Sequence, residues 1–97
     1  MRRKNTESIG DVIKQFFEEN SFIRAKVAEN RVVSGWGTIL GSSVASYTTN
    51  IYLKNNILYV HLSSSVLRAE LIMSKERIIA NLNKHAEMDI VKEIILK

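Results

Sequence analysis

The sequence predicts an α+β domain in which helices cover one face of a three-stranded sheet. Three observations carry this. Apolar residues recur at helical spacing from Ile9 to Leu40, the period drops to two on either side of Asn55-Asn56, and helical spacing returns from Leu67 before a closing β-branched run. A chain of 97 residues with 45% hydrophobic content is expected to form one domain with one core, residues 8–97, preceded by a flexible basic arm, residues 1–7.

The first helix is expected to begin near Ser8, which with Asp11 makes an S-x-x-D capping signal. Ile9, Val12, Ile13, Phe16 and Phe17 then share one side, and Asn20-Ser21 closes the run, with Ser21 placed to cap a second helical segment through Phe22, Ile23 and Val27. Val32, Val33, Trp36, Ile39 and Leu40 recur at three- and four-residue steps, and Gly41 follows as the C-cap. Whether Glu29-Asn30 interrupts this helix is open at the level of spacing. Gly35 and Gly37 flank Trp36, each costing a helix interior about 1 kcal/mol relative to alanine, which close approach of another backbone beside the indole would offset.

Alternation from Thr48 to Lys54, with Thr49, Ile51 and Leu53 on one side, predicts a half-buried strand. Asn55-Asn56 suits a two-residue turn of type I′, because asparagine tolerates positive φ. That turn sets Leu53 opposite Leu58, Tyr52 opposite Tyr59 and Ile51 opposite Val60, so the apolar rows of the two strands coincide. The second strand runs from Ile57 to Ser63. Ser64 or Ser65 caps a long helix reaching Lys84, with a stripe of Leu67, Leu71, Ile78 and Leu82 widened by Ile72 and Ile79. Ile90 to Leu96 reads as the third strand.

Composition narrows the function. The chain has no cysteine, which excludes disulfides and thiolate metal sites and fits a cytoplasmic location. The 22 uncharged residues from Val32 to Leu53 hold too many Ser, Thr, Gly and Asn to span a membrane. Catalysis is poorly served: His61 and His85 fall on different elements, no serine has a His and Asp partner in view, and no glycine-rich phosphate loop exists. His85, Glu87 and Asp89 have a metal-like spacing of the kind that arises by chance in a link. No enzyme, cofactor or metal is expected.

The net charge of +4 suggests an anionic partner, but Arg2, Arg3 and Lys4 supply three of those charges and leave +1 for the rest. Such an arm can neutralise a few phosphates, or can simply be a solvated terminus. If helices cover the face bearing Ile51, Leu53, Leu58, Val60 and Leu62, the other face presents Tyr52 and Tyr59 as a cross-strand pair beside His61 and Lys54. Tyrosines on an open sheet can stack nucleobases while cations hold phosphates; the same pair can equally steady a hairpin or seat a second copy of the chain. Val66, Met73, Arg77 and Lys84, on the outer side of the long helix, form a second candidate surface for protein or DNA. Trp36, among apolar neighbours, is assigned to the core.

Several segments in order resemble a known bacterial family. Trp36-Gly37-Thr38-Ile39-Leu40-Gly41 resembles the W-x-x-V-V-G segment of the DciA-like proteins (domain-of-unknown-function family 721), and Tyr47-Thr48 resembles the aromatic-or-His plus Thr ahead of that family's first strand. Leu58 to Ser65 is similar to its L-x-V-x-V-x-S-S strand and cap, Leu67-Arg68-Ala69-Glu70-Leu71 to the following helix start, and Leu82-Asn83 and the Ile90-to-Leu96 strand to its close. The resemblance implies a KH-like fold, a non-enzymatic role in DNA replication assisting the DnaB-type replicative helicase, and single-stranded DNA as a partner. It marks Trp36 and Gly41 as fold determinants. The G-x-x-G loop with which standard KH domains clamp a nucleotide backbone is absent. Two other readings stand beside this one: a protein-interaction or homo-oligomeric adaptor without nucleic acid, and a KH-like module for RNA or the ribosome.

Overall fold

The computed structural model describes residues 8–97; Arg2, Arg3 and Lys4 lie outside the described residues. The elements run α1 (Ile9–Glu19), α2 (Ser21–Leu40), α3 (Ser42–Tyr47), β1 (Thr48–Lys54), β2 (Ile57–Leu62), α4 (Ser65–Ile72), α5 (Lys75–Ala86) and β3 (Glu93–Leu96). The α+β class and the helix, hairpin, helix, strand order are as the sequence indicates. The sheet is mixed, in the order β1-β2-β3, with β1 antiparallel and β3 parallel to the central strand. No described helix is long and apolar enough to cross a membrane.

Local chemistry sets most boundaries. Ser8 Oγ accepts from the Asp11 N–H at 3.1 Å, and Ser64 Oγ does the same for Leu67, so both expected caps form. The cap of α2 is Asn20 rather than Ser21: its side chain accepts from the Ile23 N–H at 3.1 Å, a longer reach that satisfies a first-turn donor. Glu29 and Asn30 sit inside α2, which runs unbroken for 20 residues. Gly41 ends it at φ 99°, a region that excludes a Cβ, and the chain turns at once into α3. That short helix has no apolar stripe to announce it; Val44 packs on the core, and the Thr48 hydroxyl donates to the Val44 carbonyl at 2.8 Å.

The hairpin is as expected. Asn55 and Asn56 take φ of 53° and 66°, and Leu53 faces Leu58, Tyr52 faces Tyr59 and Ile51 faces Val60. One correction falls at its start. A bulge between Thr48 and Asn50 ends the alternation, so Thr49 is exposed and Thr48 turns toward the helices, where its Oγ1 accepts from the Trp36 indole N–H at 3.0 Å.

The long helix to Lys84 is two helices. At Met73-Ser74 the N–H groups bond to Glu70 and Leu71 carbonyls in tight i→i−3 fashion, and α5 starts afresh at Lys75. The apolar spacing through Leu67, Leu71, Ile78 and Leu82 fits a straight helix equally well, so it carries no sign of the elbow. β3 begins at Glu93 rather than Ile90, because side chains occupy the preceding backbone. Asn83 Oδ1 accepts from the N–H groups of Ile90 (3.1 Å) and Val91 (2.8 Å), its Nδ2 donates to the Val91 carbonyl, and Asn56 Nδ2 donates to the Ile90 carbonyl.

The core lies between the sheet and α2, α4 and α5. Val32 and Trp36, Leu58, Val60 and Leu62, Leu71, Ile78 and Leu82, and Ile90, Val91 and Ile94 are all buried in it. Of the widening pair, Ile79 packs on this cluster while Ile72 is exposed. The glycines beside Trp36 do admit close neighbours, but side chains rather than backbone. A Cβ on Gly35 would lie 2.6 Å from the His85 ring, and one on Gly37 would lie 3.2 Å from Ala45 Cβ.

Candidate nucleic-acid interface

The parallel register of β3 determines what the uncovered face of the sheet contains. Tyr52, Tyr59 and Ile95 share one rung, and Lys54, Ile57 and Glu93 share the next. Side chains alternate along a strand, so His61 and Lys97 continue this face while Leu58, Val60, Leu62 and Ile94 point to the helices. The Lys97 N–H donates to the Val60 carbonyl and its own carbonyl accepts from Leu62, which carries the ladder to that lysine.

Three rings and one cation converge here, with Lys54 one rung away on the same face. Tyr52 and Tyr59 stack at 5.0 Å between centroids and 16° between planes, and the His61 ring lies 6.2 Å from Tyr52 at 29°. Lys97 Nζ stands 5.6 Å from the Tyr59 centroid, within cation–π range. Tyr52 is exposed while Tyr59 and His61 are half-buried. His61 Nε2 is buried and without a hydrogen-bond partner among the described residues, which leaves one polar atom of this face unsatisfied.

At the rim, Glu93 holds a negative charge. Its carboxylate accepts from the Ile94 N–H at 2.8 Å and stands 3.4 Å from Lys75 Nζ, and these two contacts keep its pKa below the ordinary 4.5. Because Lys97 sends both backbone groups to β2, the Ile94 N–H points to the free edge of β3. The Glu93 carboxylate therefore covers an edge donor that would otherwise be open to another strand.

The expected site residues divide between two surfaces. Tyr52, Lys54, Tyr59 and His61 come together on the uncovered face. Arg77 and Lys84 are exposed on α5, in the helix layer behind the sheet, as are Val66 and Met73 on α4 and the elbow. Arg77 borders a shallow cleft at the elbow with Lys75 and Lys92. Trp36 lies in the core and Gly41 at the α2–α3 turn. Sequence reasoning missed Lys97 and Ile95: alternation along the last strand groups them with Glu93, but which neighbour they would meet depends on a pairing that spacing does not reveal. His85 rests against Gly35, and Glu87, in a left-handed conformation at the end of α5, pairs with Arg31 at 3.9 Å; among the described residues no three metal-ligand side chains converge.

A small mixed sheet with one face packed and the other bearing stacked tyrosines defines an α+β domain with one open sheet face. The model of the family described as Dna[CI] antecedent, DciA, matches residues 8–96, so this chain belongs to the DciA family, which is tied to loading of the DnaB helicase in DNA replication. No curated protein and no solved structure matches it.

Proposed function

We propose that this chain assists the DnaB-type replicative helicase by holding single-stranded DNA on the uncovered sheet face. The observation that carries the reading is the Tyr52–Tyr59 stack flanked by Lys54 and Lys97. Every base has a π-face, so a ring pair on an open sheet offers a sequence-tolerant platform worth about 1–3 kcal/mol per stacked base. The two lysines supply phosphate contacts. Arg2, Arg3 and Lys4 would add to these as a cationic arm, and Arg77 and Lys84 would contact DNA only if the strand wrapped to the helix layer.

Fluorescence anisotropy with a labelled single strand tests this. Removing both rings (Tyr52→Ala with Tyr59→Ala) should weaken binding at least about tenfold. If Lys54 and Lys97 are the main phosphate contacts, the slope of log K against log salt is about −1.4, at about −0.7 per contact on single strands. A steeper slope assigns the remainder to the arm or to α5. No binding at low salt sinks the DNA reading, and unchanged binding by the double variant sinks the sheet face as its site. Co-purification with a DnaB-type helicase tests the helicase role independently of DNA.

A further inference from the structure

The first helix has a strong apolar stripe that no described element buries. Ile9, Val12, Ile13, Phe16 and Phe17 are 81%, 49%, 50%, 52% and 36% exposed, and α1 contributes no buried residue. Ile13 and Phe17 lean toward a cleft shared with α2 and the end of α5, whereas Ile9, Val12 and Phe16 do not line it. At about 150–200 Å² per large apolar side chain, these exposures leave about 500 Å² of apolar surface on one helix, near the upper end for the largest patch of a monomeric protein.

We propose that α1 is a self-association surface on which a second copy of this chain docks its own α1 in antiparallel fashion. Two features favour that occupant. Pairing two such stripes removes up to about 1,000 Å², the size at which specific interfaces begin. The stripe is also self-complementary, as an isologous contact requires: a two-fold axis between residues 12 and 13 sets Ile9 opposite Phe16 of the other copy and Val12 opposite its Ile13. This places the aromatic end of each helix on the aliphatic end of the other.

Because the interface is at the small end of the range, association is concentration-dependent. Sedimentation velocity from about 5 to 300 µM should show the mass rise from 11.1 kDa toward twice that value. Ile9→Glu and Phe16→Glu should each weaken association at least tenfold with an unchanged thermal melt, since neither side chain is buried. The chain has no cysteine, so Val12→Cys is a clean probe: a short bis-maleimide should capture it as a covalent dimer, while Gln15→Cys, toward the polar side, is not captured. A wild-type chain that stays at 11.1 kDa at about 300 µM overturns the proposal. So does association that survives both glutamate variants, or that is lost with Tyr52→Ala instead, which would move the contact to the sheet.

Discussion

The central strand is two different objects on its two faces. Leu58, Val60 and Leu62 are sealed beneath the helices, while Tyr59, His61 and Ile57, one residue away in each case, are half-buried on a face that no described helix covers. The first set is confined by neighbours on all sides. The second is held mainly by lateral contacts: Tyr59 by Tyr52 and Lys97, and His61 by Tyr52. A two-residue period thus separates what keeps the domain folded from what it can offer a partner, and substitutions on the two faces should separate stability from binding in the same way.

The largest effect belongs to the packed face. Leu58→Ala leaves a cavity at a site with no exposure and should cost about 2–5 kcal/mol, lowering the melting temperature by about 10–30 °C for a domain of this size. Tyr59→Ala loses a cross-strand pair on the open face, worth about 0.2–1 kcal/mol beyond its partial burial, and should melt close to the wild type while losing DNA. Calorimetry on both variants decides. Equal losses of stability would show that the open face is part of the core, and the comparison would fail.

A smaller effect sharpens the comparison at the boundary between helix layer and sheet. Asn83 satisfies three backbone groups of Ile90 and Val91 from the last turns of α5, so Asn83→Ala strands buried donors and an acceptor. The expected cost is about 1–3 kcal/mol in urea denaturation. Faster amide exchange should be confined to Ile90, Val91 and the adjoining β3; exchange that speeds up uniformly would mean the link is no separate unit.

These cases also show what the sequence made legible. The tyrosine stack, its register and the packed partners of the hairpin all follow from alternation and an Asn-Asn turn, which are local signals. The elbow at Met73-Ser74 left no mark, because a break that preserves the apolar period looks like a continuous helix. The Thr48–Asn50 bulge was hidden too: Thr48 and Thr49 are chemically alike, and the choice between them is made by the Trp36 indole twelve residues earlier. Lys97 joined the candidate face by a parallel pairing across two intervening helices, and no periodicity encodes such a crossover. The stripe of α1 was legible as a stripe, but its exposure was not, because amphipathicity states that a face seeks cover and not where the cover comes from.

The smallest predicted effect is at the rim of the open face. Glu93 has a folded-state pKa held below 4.5 by the Ile94 N–H and Lys75, so its ionised form is favoured by folding. A depressed carboxylate adds stability that is complete above its unfolded value, near pH 4.5, and is lost as pH falls through the lowered folded value. The group is solvent-exposed and screened, so the contribution is small and shrinks with salt. Glu93→Gln keeps an acceptor for Ile94 but removes the charge. Wild type should therefore melt slightly above this variant at neutral pH, and the two curves should meet once Glu93 is protonated in both states. A gap that persists in acid would mean that Glu93 does not act through its charge. On the binding side the sign reverses: removing this carboxylate from a face with two lysines should modestly strengthen DNA binding, a gain that high salt erases.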